Sequence, residues 1–257
     1  MSKTFSALRF QLRSDLHSRF MGSMLGAYWA LVNPILQVAI YVFLFSIIFP
    51  ARISGSNSPY DYALFCLSGL GAWLSIQEAL TSCASSIVKN SAIVKNVAYP
   101  IVLFPLSSVI CSFVTIVTTY CLLLILRSIT GHLPGAPIIA LPFVLIVQGI
   151  FVFGIGLYLS MIGTFFRDTL QILPMIFQII MLATPVIYER KDVPAKLLFL
   201  IDYNPFYYLI DSYRKILFYG QWPDWLALCI VGFAGLMISI IGLKLFNGVR
   251  GYFEAVV

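Results

Sequence analysis

The polar side chains best suited to contact a ligand lie inside long apolar stretches of the sequence. Asn33, Gln37 and Tyr41 recur every four residues, so on a helix they form one slowly winding polar face. Gln171 and Gln178, seven residues apart, form a similar face further along the chain. Because an unpaired amide in lipid is costly, both faces need hydrogen-bond partners. They therefore either line a polar path or hydrogen-bond to neighbouring helices.

A second candidate for an interaction is a short polar segment between two apolar stretches. The phrase Ile-Val-Lys-Asn occurs at residues 87–90 and again at 93–96. On one continuous helix Lys89 and Lys95 would point about 120° apart, because each residue advances ~100°. The lysines therefore do not form one stripe. The segment is either a solvated loop or a helix that docks on a cytoplasmic partner.

Residue patterns that would support catalysis are missing from the sequence. It contains no P-loop, no dinucleotide-binding glycine motif and no G-x-S-x-G. His17 and His132 fall on opposite sides of the membrane in the topology below, so they cannot share a metal or serve one nucleophile. Glu78 alone provides a carboxylate inside a predicted span, too little for ion-gradient coupling. We therefore expect no catalytic residue, metal or cofactor, and either an external energy source or a passive pore.

Membrane-spanning helices must position these residues, because the chain is too apolar for a soluble domain. Of its 257 residues 60% are hydrophobic and 10% charged, and the mean hydropathy is +0.95. Soluble domains carry roughly 25% charged residues. A helix that crosses the membrane needs about 20 apolar residues. Six segments meet this requirement: 30–49, 62–82, 97–126, 138–165, 169–188 and 225–243.

The basic residues of the short loops predict the orientation. The two short loops opposite the termini carry one basic residue each, Arg52 and Arg127. The side with the termini carries nine, and the longer opposite segment 188–224 carries five, but the short loops are the ones that count. Lys and Arg accumulate on the cytoplasmic side, so both termini are predicted to be cytoplasmic. Residues 1–28 are predicted to comprise an amphipathic helix over 1–18 and the entry to the first span. With basic residues between apolar ones, the helix lies either in the membrane interface or on the protein surface. Its apolar positions are Phe5, Leu8, Leu12 and Leu16.

Segment 188–224 is too polar to span the membrane and is predicted to form a hairpin on the outer side. Asn204 followed by Pro205 is typical of a helix start. The helix after it has an apolar stripe (Phe206, Leu209, Ile210, Tyr213, Leu217) and a polar face (Asp211, Arg214, Lys215). The hairpin either rests in the interface or re-enters the membrane, surrounded by protein. The sequence thus predicts one all-α integral membrane domain over residues 1–257, with six transmembrane helices and this hairpin between helices 5 and 6.

Four stretches resemble, in chain order, the membrane subunits of type-2 ABC exporters for polysaccharides such as O-antigen, capsule and teichoic acid. They are RFMGSMLGAYWALVNP at 19–34, IVKNVAYP at 93–100, FFRD at 165–168, and TPVIY at 184–188 followed by YNPF at 203–206. The resemblance covers nearly the whole chain. Met21 departs from the resemblance, because that family usually has a basic residue there. A role in binding the lipid phosphate is therefore expected of Arg19 more than of position 21.

The resemblance implies a permease subunit that works as a homodimer with two separate ATPase subunits, which bind ATP and magnesium. The implied cargo is an undecaprenyl-diphosphate-linked glycan, moved across a bacterial inner membrane to the periplasm, with no nucleic acid involved. The alternatives are a drug or lipid exporter with the same six-span plan, and a sugar-lipid flippase or integral transferase outside the ABC class.

The resemblance also implies roles for the candidate residues. Segment 86–99 becomes a coupling helix for the ATPase, through Ile87, Lys89, Ile93, Val94, Lys95 and Asn96. The hairpin becomes a periplasmic gate, with Asn204, Pro205, Phe206, Tyr207 and Tyr213. Amides bond glycan hydroxyls and aromatic rings cover sugar faces along a path lined by Tyr28, Trp29, Asn33, Gln37, Tyr41, Gln171 and Gln178. Arg13 and Arg19 are predicted to meet the lipid diphosphate.

Overall fold

The computed structural model describes residues 2–18, 28–44, 59–97, 99–129 and 134–256, and these are helical apart from short connections, without any strand. The helices are α1 (Ser2–Ser18), α2 (Trp29–Phe43), α3 (Pro59–Lys89), α4 (Ser91–Asn96), α5 (Leu103–Ile129), α6 (Leu141–Phe165), α7 (Thr169–Ala183), α8 (Leu198–Asp202), α9 (Pro205–Arg214) and α10 (Trp225–Val256). Short 3₁₀ turns lie at Ala136–Ala140, Arg190–Asp192 and Ala195–Leu197, and a π turn at Lys215–Tyr219 extends α9. The predicted all-α class is confirmed.

Four of the described helices are long and apolar enough to cross a membrane. They match the second, third, fourth and sixth predicted spans: Asp61–Lys89, Leu103–Ile129, Ala136–Phe165 and Trp225–Phe253. The fifth predicted span, α7, has only 15 residues, fewer than the about 20 needed. It stops because Thr184 is extended, as the residue before a proline prefers to be. The first predicted span continues past α2 into residues outside the described part, so the count of six stays a prediction.

Helix α3 forms the centre of the bundle. Its apolar window is 83% buried, whereas that of α10 is 28% buried. It packs mainly against α5 and α6, and α6 packs in turn against α10. Small residues allow these close contacts: a Cβ at Gly163 of α6 would lie 2.2 Å from the carbonyl oxygen of Ala84 in α3. The outer helices therefore present apolar side chains outward while α3 is enclosed.

The two ends of the bundle carry different elements. At one end, α4 and both terminal helices meet: the Tyr99 hydroxyl donates to the Ala7 carbonyl of α1 at 3.0 Å, and Val94 packs in one cluster with Phe253 of α10. At the other end, the stretch that leads into the hairpin meets the start of α3, where the Tyr62 hydroxyl donates to the Ile187 carbonyl at 2.8 Å. The termini thus share one end of the bundle, as the predicted topology requires. That this end is cytoplasmic stays a prediction.

Candidate functional site

The hairpin helix α9 is anchored at its first residue. Asn204 caps α9 as predicted: its Oδ1 accepts from the Phe206 backbone N–H at 3.0 Å, and Pro205 follows at the first helical position. The Asn204 Nδ2 also donates to the Thr184 hydroxyl at 2.7 Å, directly after the end of α7. One side chain therefore joins the start of α9 to the end of α7.

The apolar stripe of α9 faces the bundle, as the sequence predicts. Phe206 meets Trp73 of α3 and Phe151 of α6 edge-on, with ring centroids 6.0 and 5.5 Å apart. Tyr213 is fully buried and packs 5.1 Å from the ring of Tyr120 in α5. The apolar side of α9 therefore packs on α3, α6 and α10, and protein contact on this side is what a re-entrant helix needs at membrane depth.

The prediction that Arg214 lies on an exposed polar face of α9 is wrong, because Arg214 is only 4% exposed. Its Nη1 donates to the Pro185 carbonyl at 3.0 Å and its Nη2 to the Val186 carbonyl at 2.5 Å. Its guanidinium lies 3.9 Å from the ring centroid of Phe65. Burial lowers the pKa of Arg214. The helical period alone placed Arg214 beside Asp211, and the carbonyls that bind it lie far away in sequence.

The space for this arginine depends on a glycine in α3. A Cβ at Gly69 would lie 2.6 Å from the Val186 carbonyl oxygen and 2.8 Å from the Arg214 Nη2. The backbone at 185–187 is therefore held by Arg214 and Tyr62 and approaches α3 closely at Gly69. The sequence analysis identified residues 184–188 by resemblance. It did not predict that Arg214 and Tyr62 hold this stretch in place.

Ion pairs surround the outward side of the hairpin. Arg190 binds Asp202 at 2.6 Å, and Lys215 binds Asp211 at 3.0 Å within the same helix turn. Tyr207, a predicted gate residue, is half-buried beside them, and burial, with the Asp211 carboxylate nearby, raises its pKa to about 12. Its phenol is therefore a neutral hydroxyl at physiological pH.

At the opposite end, the predicted coupling residues divide into two groups. Ile87 and Val94 are buried against Phe104, Phe246 and Phe253, so they hold the turn in place and do not present a surface to another chain. Ile93 is half-buried. The exposed members of the set are Lys89, Lys95 and Asn96. The chain bends at Asn90 between α3 and α4, so the two repeats do not lie on one helix.

Helix α1 is attached to this end by polar contacts. Gln11 is fully buried, and its Nε2 donates to the Asp15 carboxylate at 2.8 Å and to the Asn90 Oδ1 at 3.3 Å. The Ser107 hydroxyl donates to the other Asp15 oxygen at 2.5 Å. Of the predicted apolar positions, Phe5 is 70% exposed, whereas Leu8 and Leu12 are half-buried. The bundle side of α1 thus also carries the polar Gln11 and Asp15, which the sequence pattern did not indicate.

A polar pocket of about 460 Å³ lies where α1, α3 and α5 meet. Its lining is rich in serine and carries one carboxylate and one ammonium group: Ser14, Asp15, Ser82, Ser86, Lys89, Asn90, Ser108 and Cys111. Arg13, predicted to meet a lipid diphosphate, is exposed on α1, and Arg19 lies outside the described residues.

The predicted path residues lie on α2, on α7 and just before α2. Tyr28, Asn33, Gln171 and Gln178 are exposed, and Trp29 and Gln37 are half-buried. The Tyr41 side chain lies outside the described part. Both helices pack against α3 and not extensively against each other. Among the described contacts, the Asn33, Gln171 and Gln178 amides make no hydrogen bond to a neighbouring helix.

Known proteins similar to this chain are membrane transport subunits. The sequence profile of the ABC-2 type transporter family matches residues 7–218. Two O-antigen export system permease proteins RfbA of Klebsiella pneumoniae are each 27% identical over 253 residues, 98% of this chain and 95% of theirs. A protein of the same name from Myxococcus xanthus is 28% identical over 216 residues, 83% of this chain and 80% of its own length.

Proposed function

Because the chain belongs to the ABC-2 type transporter family, we propose that it is the permease subunit of an ATP-driven exporter for an O-antigen-like polysaccharide carried on undecaprenyl diphosphate. The supporting observation is the similarity to O-antigen export permeases over 98% of the chain. Family membership removes the alternatives outside the ABC class. The names of the relatives favour a polysaccharide over a drug or a lipid as the cargo.

We place the glycan path between two copies of the chain. The exposed amides Asn33 and Gln171 support this placement, because a polar side chain that faces lipid is costly. A second copy that brings its α7 towards α2 would enclose both amide faces. Enclosed amides and aromatic rings then bind hydroxyls and sugar faces weakly and repeatedly, as the movement of a long polymer requires.

The α4 end is the proposed contact for the ATPase, which binds the ATP and the magnesium in this proposal. The outward-facing residues Lys89, Lys95 and Asn96 support it, since they form the exposed part of a turn whose apolar side is fixed inside the bundle. Movement imposed on α4 is transmitted to α3 and α10, against which it packs. The hairpin at the other end is the proposed periplasmic gate, with both termini in the cytoplasm and the subunit in the inner membrane.

The test is complementation in a host that makes O-antigen but lacks its own export permease and ATPase. The chain is expressed with a candidate P-loop ATPase subunit, and surface glycan is measured on immunoblots of lipopolysaccharide. We expect surface glycan only when both subunits are present, and accumulation of undecaprenyl-linked glycan when the P-loop lysine of the ATPase is replaced. Surface glycan that persists without the ATPase, or a complex that hydrolyses ATP but never exports glycan, would reject the proposal.

A further inference from the structure

Helix α1 presents two aromatic rings and two cations to the outside of the bundle. Phe5, Arg9 and Arg13 recur every four residues and therefore lie on one side of the helix. Phe10, three residues before Arg13, lies beside them. All four side chains are exposed, Phe5 to 70% and Phe10 to 65%. Among the described residues, neither arginine has a hydrogen-bond or ion-pair partner. These four residues form the outer face of α1.

The single carboxylate of α1 is kept away from this outer face. Asp15 is the only acidic residue in Ser2–Ser18, and it follows Arg13 by two residues, which is about 200° around the helix. It lies on the side that meets the bundle, where it accepts hydrogen bonds from the Gln11 amide at 2.8 Å and from the Ser107 hydroxyl at 2.5 Å. The outer face therefore carries two positive charges and no negative charge, which favours an anionic partner.

The position of α1 next to α5 indicates what this partner is. Helix α5 has 27 residues, so at about 1.5 Å per residue it extends roughly 40 Å, which is longer than the roughly 30 Å hydrocarbon core. Its ends therefore reach the headgroup region of the membrane. Helix α1 is bonded at one of these ends, through Ser107 near the start of α5 and through Tyr99, whose hydroxyl donates to the Ala7 carbonyl at 3.0 Å. The outer face of α1 thus lies at the level of the lipid headgroups.

We propose that the outer face of α1 binds anionic phospholipid headgroups in the leaflet at the α4 end of the bundle. Arg9 and Arg13 donate charge-assisted hydrogen bonds to the phosphate oxygens. The rings of Phe5 and Phe10 enter the boundary between headgroups and acyl chains. A zwitterionic headgroup binds less tightly, because its own cation offsets the phosphate charge. The inference does not depend on the proposed function, since it requires neither a glycan nor an ATPase.

Lipid bound on the outer face holds α1 in place, and α1 in turn holds the bend between α3 and α4. The Gln11 Nε2 on the opposite side of α1 donates to the Asn90 Oδ1 at 3.3 Å. Asn90 is the residue at which α3 ends and α4 begins. One helix therefore links the headgroups to this bend.

The experiment uses a photoreactive probe in the purified full-length chain, with and without a candidate ATPase subunit. Benzoylphenylalanine replaces Phe10, and the protein is reconstituted in nanodiscs with equal amounts of phosphatidylglycerol and phosphatidylcholine. Mass spectrometry measures the ratio of the two lipid adducts after illumination. We expect phosphatidylglycerol adducts to exceed phosphatidylcholine adducts about 25-fold, because each arginine near an anionic surface contributes about fivefold.

The matched control carries the same probe at Phe233 of α10, a side chain that is also 65% exposed. The sequence from 226 to 243 has no charged residue, so the two lipids should react equally there. At Phe10, Arg9→Gln combined with Arg13→Gln should also make the two adducts equal, and Arg13→Gln alone should keep about a fivefold preference. Arg9→Lys combined with Arg13→Lys should keep most of the preference. These changes remove no contact inside the bundle, so they test the charge and not the fold.

Equal labelling of both lipids at Phe10 in the otherwise unchanged chain would overturn the proposal, as would a preference that survives the double glutamine change. Adducts mainly with the ATPase or with a second copy of the chain would overturn it by assigning the outer face to a protein contact. Loss of the phosphatidylglycerol adducts when a polyprenyl diphosphate is added would assign the face to the lipid carrier of the cargo instead. A lipid preference in a chain that never exports glycan would keep this inference and reject only the proposed function.

Discussion

Replacement of Arg214 tests whether the hairpin is clamped to the bundle. Arg214→Ala removes two hydrogen bonds, at 3.0 Å to Pro185 and 2.5 Å to Val186, and a guanidinium stacked 3.9 Å from the centroid of Phe65. Hydrogen bonds from a charged group contribute about 1.5–3 kcal/mol each. The loss is partly offset, because a buried charge no longer has to be desolvated. We therefore expect the free energy of unfolding to fall by about 3 kcal/mol.

The assay is thermal unfolding of the purified permease–ATPase complex, followed by tryptophan fluorescence. A loss of this size lowers the Tm by roughly 6–12 °C for a chain of this length. Arg214→Lys should lose nearly as much, because an ammonium group cannot reproduce the two-pronged donation of a guanidinium. Lys215→Ala is the control, since its partly exposed pair with Asp211 is worth at most about 1 kcal/mol. If Arg214→Ala unfolds at the same temperature as Lys215→Ala, the clamp contributes nothing and the apolar stripe alone holds the hairpin.

Three further changes test other contacts. Gly163→Leu should abolish accumulation in the membrane fraction, because a Cβ there would lie 2.2 Å from an α3 carbonyl, whereas Gly248→Leu, with open space around it, should accumulate normally. Asn204→Ala removes the cap of α9 and its link to α7, so the free energy of unfolding should fall by about 1 kcal/mol; an unchanged Tm would contradict this. Lys95→Glu should reduce the amount of ATPase that co-purifies several-fold, and Lys196→Glu, at the hairpin end, should not; equal yields would remove the α4 contact.

Much of the helical layout could be predicted, because it depends on local sequence. Long apolar runs identified α3, α5, α6 and α10, and the Asn204–Pro205 pair identified the start of α9. The length of α7 was overestimated because Thr184 and Pro185 are themselves apolar enough to extend the run. Backbone geometry, and not hydropathy, ends that helix: Thr184 is extended before the proline.

The polar contacts that hold the site could not be predicted, because each joins segments far apart in sequence. Arg214 is on the polar face by helical period, and its burial depends on carbonyls at 185–186 and on the missing Cβ of Gly69. Gln11 faces the bundle because Asn90, in a different part of the chain, offers its side-chain oxygen there. A pattern within one helix shows which face is apolar. Only the fold shows which distant polar group pairs with a buried polar residue.

The attachments at both ends of α3 constrain how the proposed exporter can move. With 31 residues and about 1.5 Å of rise per residue, α3 extends roughly 45 Å. Its first turns are fixed to the hairpin through Tyr62 and Gly69, and its last turn is fixed to α1 and α4 through Asn90. Its middle is enclosed by α5 and α6, so it has little room to bend. In the proposed mechanism, force applied at α4 therefore reaches the hairpin by displacement of α3 as a rigid rod, and the proposed gate opens only if α3 shifts against the neighbours that enclose it.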